Sequence, residues 1–221
     1  TRFYAHLSEE SSLLIARNQP TAVDLRFLLA VSKTFGPDAV RQAQAAGQRC
    51  FGENYVQEAQ AKIGELADMG LEWHLIGHLQ SNKAEVAARL FDWVQTVDRH
   101  KLIGALSRNR PAERPPLNVL IQVNIDDEAS KHGCHPDDIA ALADAIAAAP
   151  NLRLRGLMAI PAPQPDPAAR IAAFSRMKSL QDQLASRHAG IDTLSMGMSD
   201  DFAQAIAHGA TMVRIGTALF G

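Results

Sequence analysis

The run FLLAVSK, from Phe27 to Lys33, decides the fold that the sequence predicts. Its residues from Leu28 to Val31 would place apolar side chains on both faces of a strand. A second run of this kind, VLIQV, occupies residues 119–123. Strands that are apolar on both faces are typical of parallel sheets covered by helices. The two runs therefore predict a buried parallel sheet.

Short apolar runs alternate with longer amphipathic stretches along the rest of the chain. The predicted strands are Phe27–Ser32, Arg49–Gly52, Trp73–Gly77, Trp93–Val97, Asn118–Val123, Leu154–Ala159, Thr193–Met196 and Met212–Ile215. The predicted helices include Pro37–Ala46, Tyr55–Asp68, Asn82–Leu90, Pro136–Ala149 and Ala168–His188. About eight strand–helix units in 221 residues indicate a single-domain parallel (β/α)8 barrel. An open, doubly wound sheet is the alternative fold. The single domain is predicted to span residues 1–221, with residues 1–26 as a helical extension.

The composition is that of an ordinary globular protein. The chain has 47% hydrophobic and 21% charged residues, with a formal net charge of -2. This balance does not favour binding to nucleic acid or to an anionic membrane, and no apolar run approaches the ~20 residues that span a bilayer. Two isolated cysteines, Cys50 and Cys134, do not form a disulfide framework. We therefore expect a cytoplasmic protein, and we expect it to be a monomer.

Lys33 is the leading candidate for covalent chemistry. In a parallel barrel, functional residues lie at the carboxyl ends of strands, and Lys33 follows the first predicted strand. Desolvation there would favour the neutral amine, which attacks aldehydes. The alternative is a lysine that extends to solvent at the barrel rim or pairs with Glu53.

A phosphate site is predicted near the end of the chain. Gly197-Met198-Ser199 and Ile215-Gly216-Thr217 follow the last two predicted strands and offer hydroxyl and backbone N–H groups. Loops at these positions are the usual phosphate site of such barrels. The alternative is that both segments are ordinary turns that need glycine and helix caps.

No metal site is predicted. His74 and His78 are four residues apart, but Gly77 lies between them in a strand-to-loop segment, so they should not share a helical face. Cys134 lies beside His132 and His135 and is interpreted as part of a surface loop.

Six blocks of sequence resemble one known family. They are AVSKT (30–34), FGENYVQE (51–58), EWHLIGHLQSNK (72–83), GLMAIP (156–161), LSMGMSDD (194–201) and VRIGT (213–217). In this order they closely match the pyridoxal phosphate homeostasis protein family.

The resemblance implies a barrel like the N-terminal domain of alanine racemase, with pyridoxal 5′-phosphate (PLP) held as an internal aldimine on Lys33. It implies that Arg214 faces the pyridine nitrogen. It assigns phosphate contacts to Ser199, Gly216 and Thr217. Three further residues match positions that line the cofactor pocket: Asn54, His74 and Met196. Lys131 matches another common family position.

The resemblance further implies a carrier or regulator in vitamin B6 homeostasis, with PLP-dependent apoenzymes as possible recipients. A PLP-dependent amino-acid racemase with weak activity is the alternative, and a class I aldolase that uses Lys33 without a cofactor is a third hypothesis. Racemisation needs acid–base groups on both faces of the carbanion. The chain has only two tyrosines, Tyr4 and Tyr55, and neither is suitably placed for the second face.

Overall fold

Eight parallel strands form a closed barrel in the computed structural model, which describes residues 27–127, 132–162 and 166–220. Neighbours in the barrel follow chain order, and β1 pairs with β8 to close it. This closure excludes the open sheet. The strands are β1 Phe27–Val31, β2 Cys50–Glu53, β3 Glu72–Leu75, β4 Trp93–Val97, β5 Leu117–Gln122, β6 Leu152–Met158, β7 Thr193–Ser195 and β8 Met212–Ile215.

Helices connect successive strands and cover the outside of the barrel. In the described part of the chain they are α1 Pro37–Ala45, α2 Val56–Glu65, α3 Ala84–Leu90, α4 His100–Asn109, α5 Ile139–Ala147, α6 Pro167–Ala185, α7 Phe202–Ala207 and α8 Thr217–Phe220. Short 3₁₀ turns, Ala67–Met69, Ser81–Lys83 and Pro136–Asp138, occupy parts of three predicted helices. Pro37 and Pro136 begin helical segments, as their fixed φ angle favours.

Two small apolar clusters lie inside the barrel. One contains Trp93, Leu120 and Met158, and the other is built on Leu29 and Val31 with two further side chains. A larger cluster lies between the strands and the helices. Because side chains alternate along a strand, Lys33 follows Leu29 and Val31 on the inward face of the first strand's path.

The described residues leave part of the predicted organisation untested. The proposed helical extension, 1–26, lies outside them, as does Lys131. In the described ranges, no helix combines the length and the apolar character needed to cross a bilayer.

Candidate functional site

Most of the predicted site residues meet in one cavity at the carboxyl ends of the strands. The cavity has a volume of about 210 Å³. Its polar lining comes from Lys33, Asn54, Ser199, Arg214, Gly216 and Thr217, and its apolar lining from Val31, Ile76, Ile160 and Met198. The barrel therefore brings together residues as distant in sequence as Val31 and Thr217.

Lys33 is presented by a tight turn after β1. The Phe35 N–H donates to the Ser32 carbonyl over 3.1 Å, and Thr34 has a φ of 67°. A β-branched residue rarely adopts this left-handed conformation, so the turn stores local strain beside Lys33. The Lys33 side chain is exposed. The Lys33 side chain extends from the rim into the open cavity. The expectation that the protein itself desolvates this amine is therefore wrong.

A buried ion pair supports the turn from below. The Ser32 hydroxyl donates to Glu53 over 2.5 Å, and Lys62 Nζ donates to Glu53 Oε1 over 2.6 Å and to the Ser32 carbonyl over 2.7 Å. The Glu53 side chain is fully buried and that of Lys62 is 9% exposed. The partner of Glu53 is thus Lys62, and the predicted alternative pairing with Lys33 is wrong. This arrangement fixes the backbone that presents Lys33.

Arg214 lies deep in the cavity as a nearly buried cation. Its two terminal nitrogens donate to Ser195 Oγ over 2.7 Å and to the Ala159 carbonyl over 2.8 Å. Both acceptors are neutral, and burial lowers the pKa of Arg214 to about 10. A guanidinium remains charged at neutral pH and has five N–H donors. It can therefore donate to a further acceptor in the cavity.

The loop after β7 positions Ser199. Gly197 has a φ of 93°, and a Cβ at this residue would lie 2.5 Å from the Cβ of Ala205. The Asp201 carboxylate accepts the Met198 N–H over 2.7 Å. Glycine is therefore required at 197, and Asp201 holds the loop in the shape that directs Ser199 to the cavity.

Asn54 depends on a close backbone approach. It follows β2, and a Cβ at Gly77 would lie 2.0 Å from the Asn54 carbonyl oxygen. Only a glycine allows the loop after β3 to pass so near. Gly77 thus sets the position of Asn54 in the cavity wall.

Two predicted pocket residues are not among those that line the cavity. His74 is fully buried inside the barrel, where Gln95 and Glu72 contact its two ring nitrogens at 2.9 Å each and its ring stacks on Trp93. Met196 is fully buried in the core outside the barrel wall. The structure thus places both side chains behind the lining of the cavity, and their role in cofactor binding stays a prediction.

A second cavity lies beside the first and shares Asn54 with it. Its lining includes Tyr55, Lys83, His78 and His132. The two histidine rings stack with centroids 3.7 Å apart and planes 15° apart. Burial and the neighbouring His132 lower the pKa of His78. Spacing in the sequence relates His78 only to His74 and gives no signal that His132, 54 residues further along the chain, is its partner.

Comparison with known proteins places the chain in a family. Residues 18–221 match the family model of the alanine racemase N-terminal domain, so the chain belongs to that class of barrel. It is 60% identical over 194 residues to a pyridoxal phosphate homeostasis protein of Pseudomonas aeruginosa, covering 88% of this chain and 83% of that protein. Its counterpart in Escherichia coli is 55% identical over 197 residues, with 88% and 84% covered. The chain is accordingly a member of the pyridoxal phosphate homeostasis protein family.

A solved structure agrees with this placement. PipY of Synechococcus elongatus, determined with PLP bound, superimposes with a TM-score of 0.81 at 38% identity. The match covers 96% of this chain and 99% of PipY.

Proposed function

We propose that this chain binds pyridoxal 5′-phosphate through Lys33 and acts in its homeostasis as a carrier or regulator. The strongest support is that one cavity is lined by the Lys33 amine, the buried Arg214 guanidinium and two loops that carry the hydroxyls of Ser199 and Thr217. The PLP-bound PipY structure and the names of the relatives support the same ligand.

The chemistry of the cavity fits each part of the cofactor. Ser199, Thr217 and the backbone at Gly216 come from the loops after the last two strands, where such barrels hold phosphate. Arg214 has N–H groups for a ring nitrogen. Ile160 and Met198 are 38% and 40% exposed, and burying these apolar side chains against an aromatic ring would be favourable. When bound, the cofactor supplies an aldehyde carbon that accepts the Lys33 amine.

The residues of the chain hold the ligand and offer little for turnover. An arginine at the pyridine nitrogen is a poor proton donor, so it would keep that nitrogen unprotonated and weaken the ring as an electron sink. Lys33 could move a proton on one face of a bound amino acid. Within the described residues the one tyrosine, Tyr55, is 60% exposed and lines the neighbouring cavity. This supports a carrier or regulator that could pass PLP to dependent apoenzymes, rather than an efficient racemase.

Absorbance spectroscopy tests the binding proposal. Protein mixed with PLP should be yellow, with a band near ~420 nm as expected for a lysine–cofactor adduct, and borohydride should fix the label on the Lys33 peptide. Lys33→Ala should lose both the band and the label. Lys83→Ala is the matched control, because Lys83 lines the adjacent cavity, and it should retain both. A colourless parent protein that still condenses with carbonyl substrates would instead favour a class I aldolase.

Hydrogen exchange separates the carrier from the racemase. Incubation of the PLP-loaded protein with L-alanine in deuterated water should give no appreciable D-alanine. The loss of a general base typically lowers the rate of proton transfer by about 10²–10⁴-fold. Slow residual exchange is therefore compatible with the proposal. Rapid Cα deuteration with D-alanine forming at enzyme-like rates would establish the racemase.

A further inference from the structure

A continuous chain of hydrogen bonds crosses the barrel interior from Arg214 to Glu72. Arg214 contacts Ser195 Oγ at 2.7 Å, and Ser195 Oγ contacts Gln95 Oε1 at 2.7 Å. Gln95 Nε2 lies 2.9 Å from His74 Nδ1, and His74 Nε2 lies 2.9 Å from Glu72 Oε1. The four residues before Glu72 are buried, whereas the Glu72 side chain is 38% exposed.

The two ends of this chain lie at opposite mouths of the barrel. Arg214 lines the cavity at the carboxyl ends of the strands. Glu72 is the first residue of β3, and it lines a separate cleft with Gly70 and Asp92 at the amino ends. The hydrogen-bond chain thus links the cavity to a cleft at the opposite mouth of the barrel.

The direction of every hydrogen bond in the chain follows from donor counting. An ionised carboxylate only accepts, so His74 Nε2 carries a proton and donates it to Glu72. Burial lowers the pKa of His74, so the ring is neutral and its Nδ1 accepts from the Gln95 amide nitrogen. Gln95 Oε1 then faces Ser195, whose Oγ accepts from Arg214 and donates its hydrogen to Gln95. All the bonds run from a buried cation to a carboxylate, an arrangement in which aligned bonds polarise one another.

We propose that Gln95, His74 and Glu72 are positioning residues for Arg214, holding its guanidinium in the orientation that meets the PLP ring. This inference rests on the proposed function, since it concerns how that ligand is held. In the described part of the chain Arg214 hydrogen-bonds only to neutral groups. Asp201 is the carboxylate whose charge acts on Arg214 through space, whereas Glu72 can act on it only by polarising the aligned hydrogen bonds between them.

The protonation of His74 in the PLP-free protein is the first test. Nitrogen NMR of the labelled histidine ring should show the proton on Nε2. Gln95→Glu replaces the amide donor with an acceptor, so the ring should gain a proton on Nδ1. Two results would contradict the proposed hydrogen-bond directions. One is a His74 ring protonated on Nδ1 in the parent protein, and the other is a tautomer that does not change in Gln95→Glu.

PLP titrations of single and double variants are the second test. Glu72→Gln removes the terminal charge and keeps the shape. It should weaken PLP binding by about 2- to 30-fold, the range typical of coupling between distant sites, and it should move the absorbance maximum. Gln95→Met interrupts the chain and should have an effect of similar size. In the Gln95→Met background, Glu72→Gln should then have no further effect.

Two matched controls separate positioning from simple loss of stability. Gln181 is a buried glutamine that does not belong to the hydrogen-bond chain. It accepts from the Leu157 N–H and donates to the Thr193 carbonyl. Gln181→Met should leave the PLP spectrum unchanged even if it lowers the melting temperature. Glu85→Gln removes an exposed acid that pairs with Arg89 and should change neither property.

The outcomes distinguish the inference from the proposed function. Unchanged PLP affinity and spectrum in Glu72→Gln, or an effect of Glu72→Gln that persists in full with Gln95→Met, would overturn the positioning role. A parent protein that fails to bind PLP would overturn the proposed function instead. In that case the ring NMR of the free protein would still test whether the hydrogen-bond chain exists.

Discussion

The buried pair beneath the Lys33 turn makes a strong prediction about stability. In Lys62→Met the apolar stem is kept, but the carboxylate of Glu53 loses a 2.6 Å partner in a fully buried position. Its other oxygen, Oε2, already has no hydrogen-bond partner among the described residues. Removing one member of a buried pair typically costs about 3–5 kcal/mol. We therefore expect Lys62→Met to lower the free energy of unfolding by about this amount, a large share of the ~5–15 kcal/mol of a typical domain.

A double-mutant cycle measured by urea unfolding provides the check. Glu53→Leu combined with Lys62→Met removes both charges, so the double variant should be more stable than Lys62→Met alone, with a coupling energy of about 0.5–3 kcal/mol between the two sites. The surface pair of Lys178 and Asp182 also has a separation of 2.6 Å, but its side chains are 43% and 61% exposed. Lys178→Met should therefore cost less than about 1 kcal/mol.

Two results would refute this reasoning. If Lys62→Met costs no more than Lys178→Met, the pair is solvated and does not anchor the turn. If the costs of Lys62→Met and Glu53→Leu simply add, the two groups do not depend on each other. PLP binding by Lys62→Met offers a second measurement. The variant should bind PLP more weakly, because the contact with the Ser32 carbonyl that supports the Lys33 turn is lost.

Three further predictions concern the cavity and the barrel interior. Ser199→Ala should weaken PLP binding by about 10- to 150-fold in titrations, because one charge-assisted hydrogen bond is worth roughly 1.5–3 kcal/mol. Gly77→Ala should weaken PLP binding and stability together, because its Cβ would meet the Asn54 carbonyl at 2.0 Å. Lowering the pH from ~6.5 toward 5 should destabilise the protein through His74, whose pKa burial lowers. The unfolded chain then binds a proton that the folded chain does not, so stability falls by up to about 1.4 kcal/mol per pH unit.

Each of these has a specific control. Gly36→Ala meets no atom within 4 Å, so it should leave PLP binding intact where Gly77→Ala does not. Urea unfolding of His74→Gln should show a shallower loss of stability over the same pH range, and an unchanged slope would exclude His74 as the cause. A Ser199→Ala variant that binds PLP as tightly as the parent would place the phosphate elsewhere.

The sequence by itself determined the architecture and most of the cavity. Runs that are apolar on both faces and alternate with amphipathic stretches have few solutions besides a parallel barrel, and the bounds predicted for β4 and β8 are those observed. Lys33 and Ser199 were predicted because parallel strands bring their carboxyl ends to one mouth, whereas the role of Arg214 was assigned from the family resemblance. The predicted helix Tyr55–Asp68 was less accurate, since it divides into α2 and a 3₁₀ turn.

The interior of the barrel was decided by the tertiary structure alone. Whether an inward side chain reaches the cavity or the layer beneath it depends on the stagger of all eight strands. This stagger cannot be predicted from the local sequence pattern of any one strand. His74, which the family resemblance assigned to the cofactor pocket, lies behind the lining of the cavity, hydrogen-bonded between Gln95 and Glu72. The pairing of Glu53 with Lys62 likewise requires α2 to pack against β2. Such partners are distant in sequence, and only the closed barrel brings their donors and acceptors within hydrogen-bonding distance.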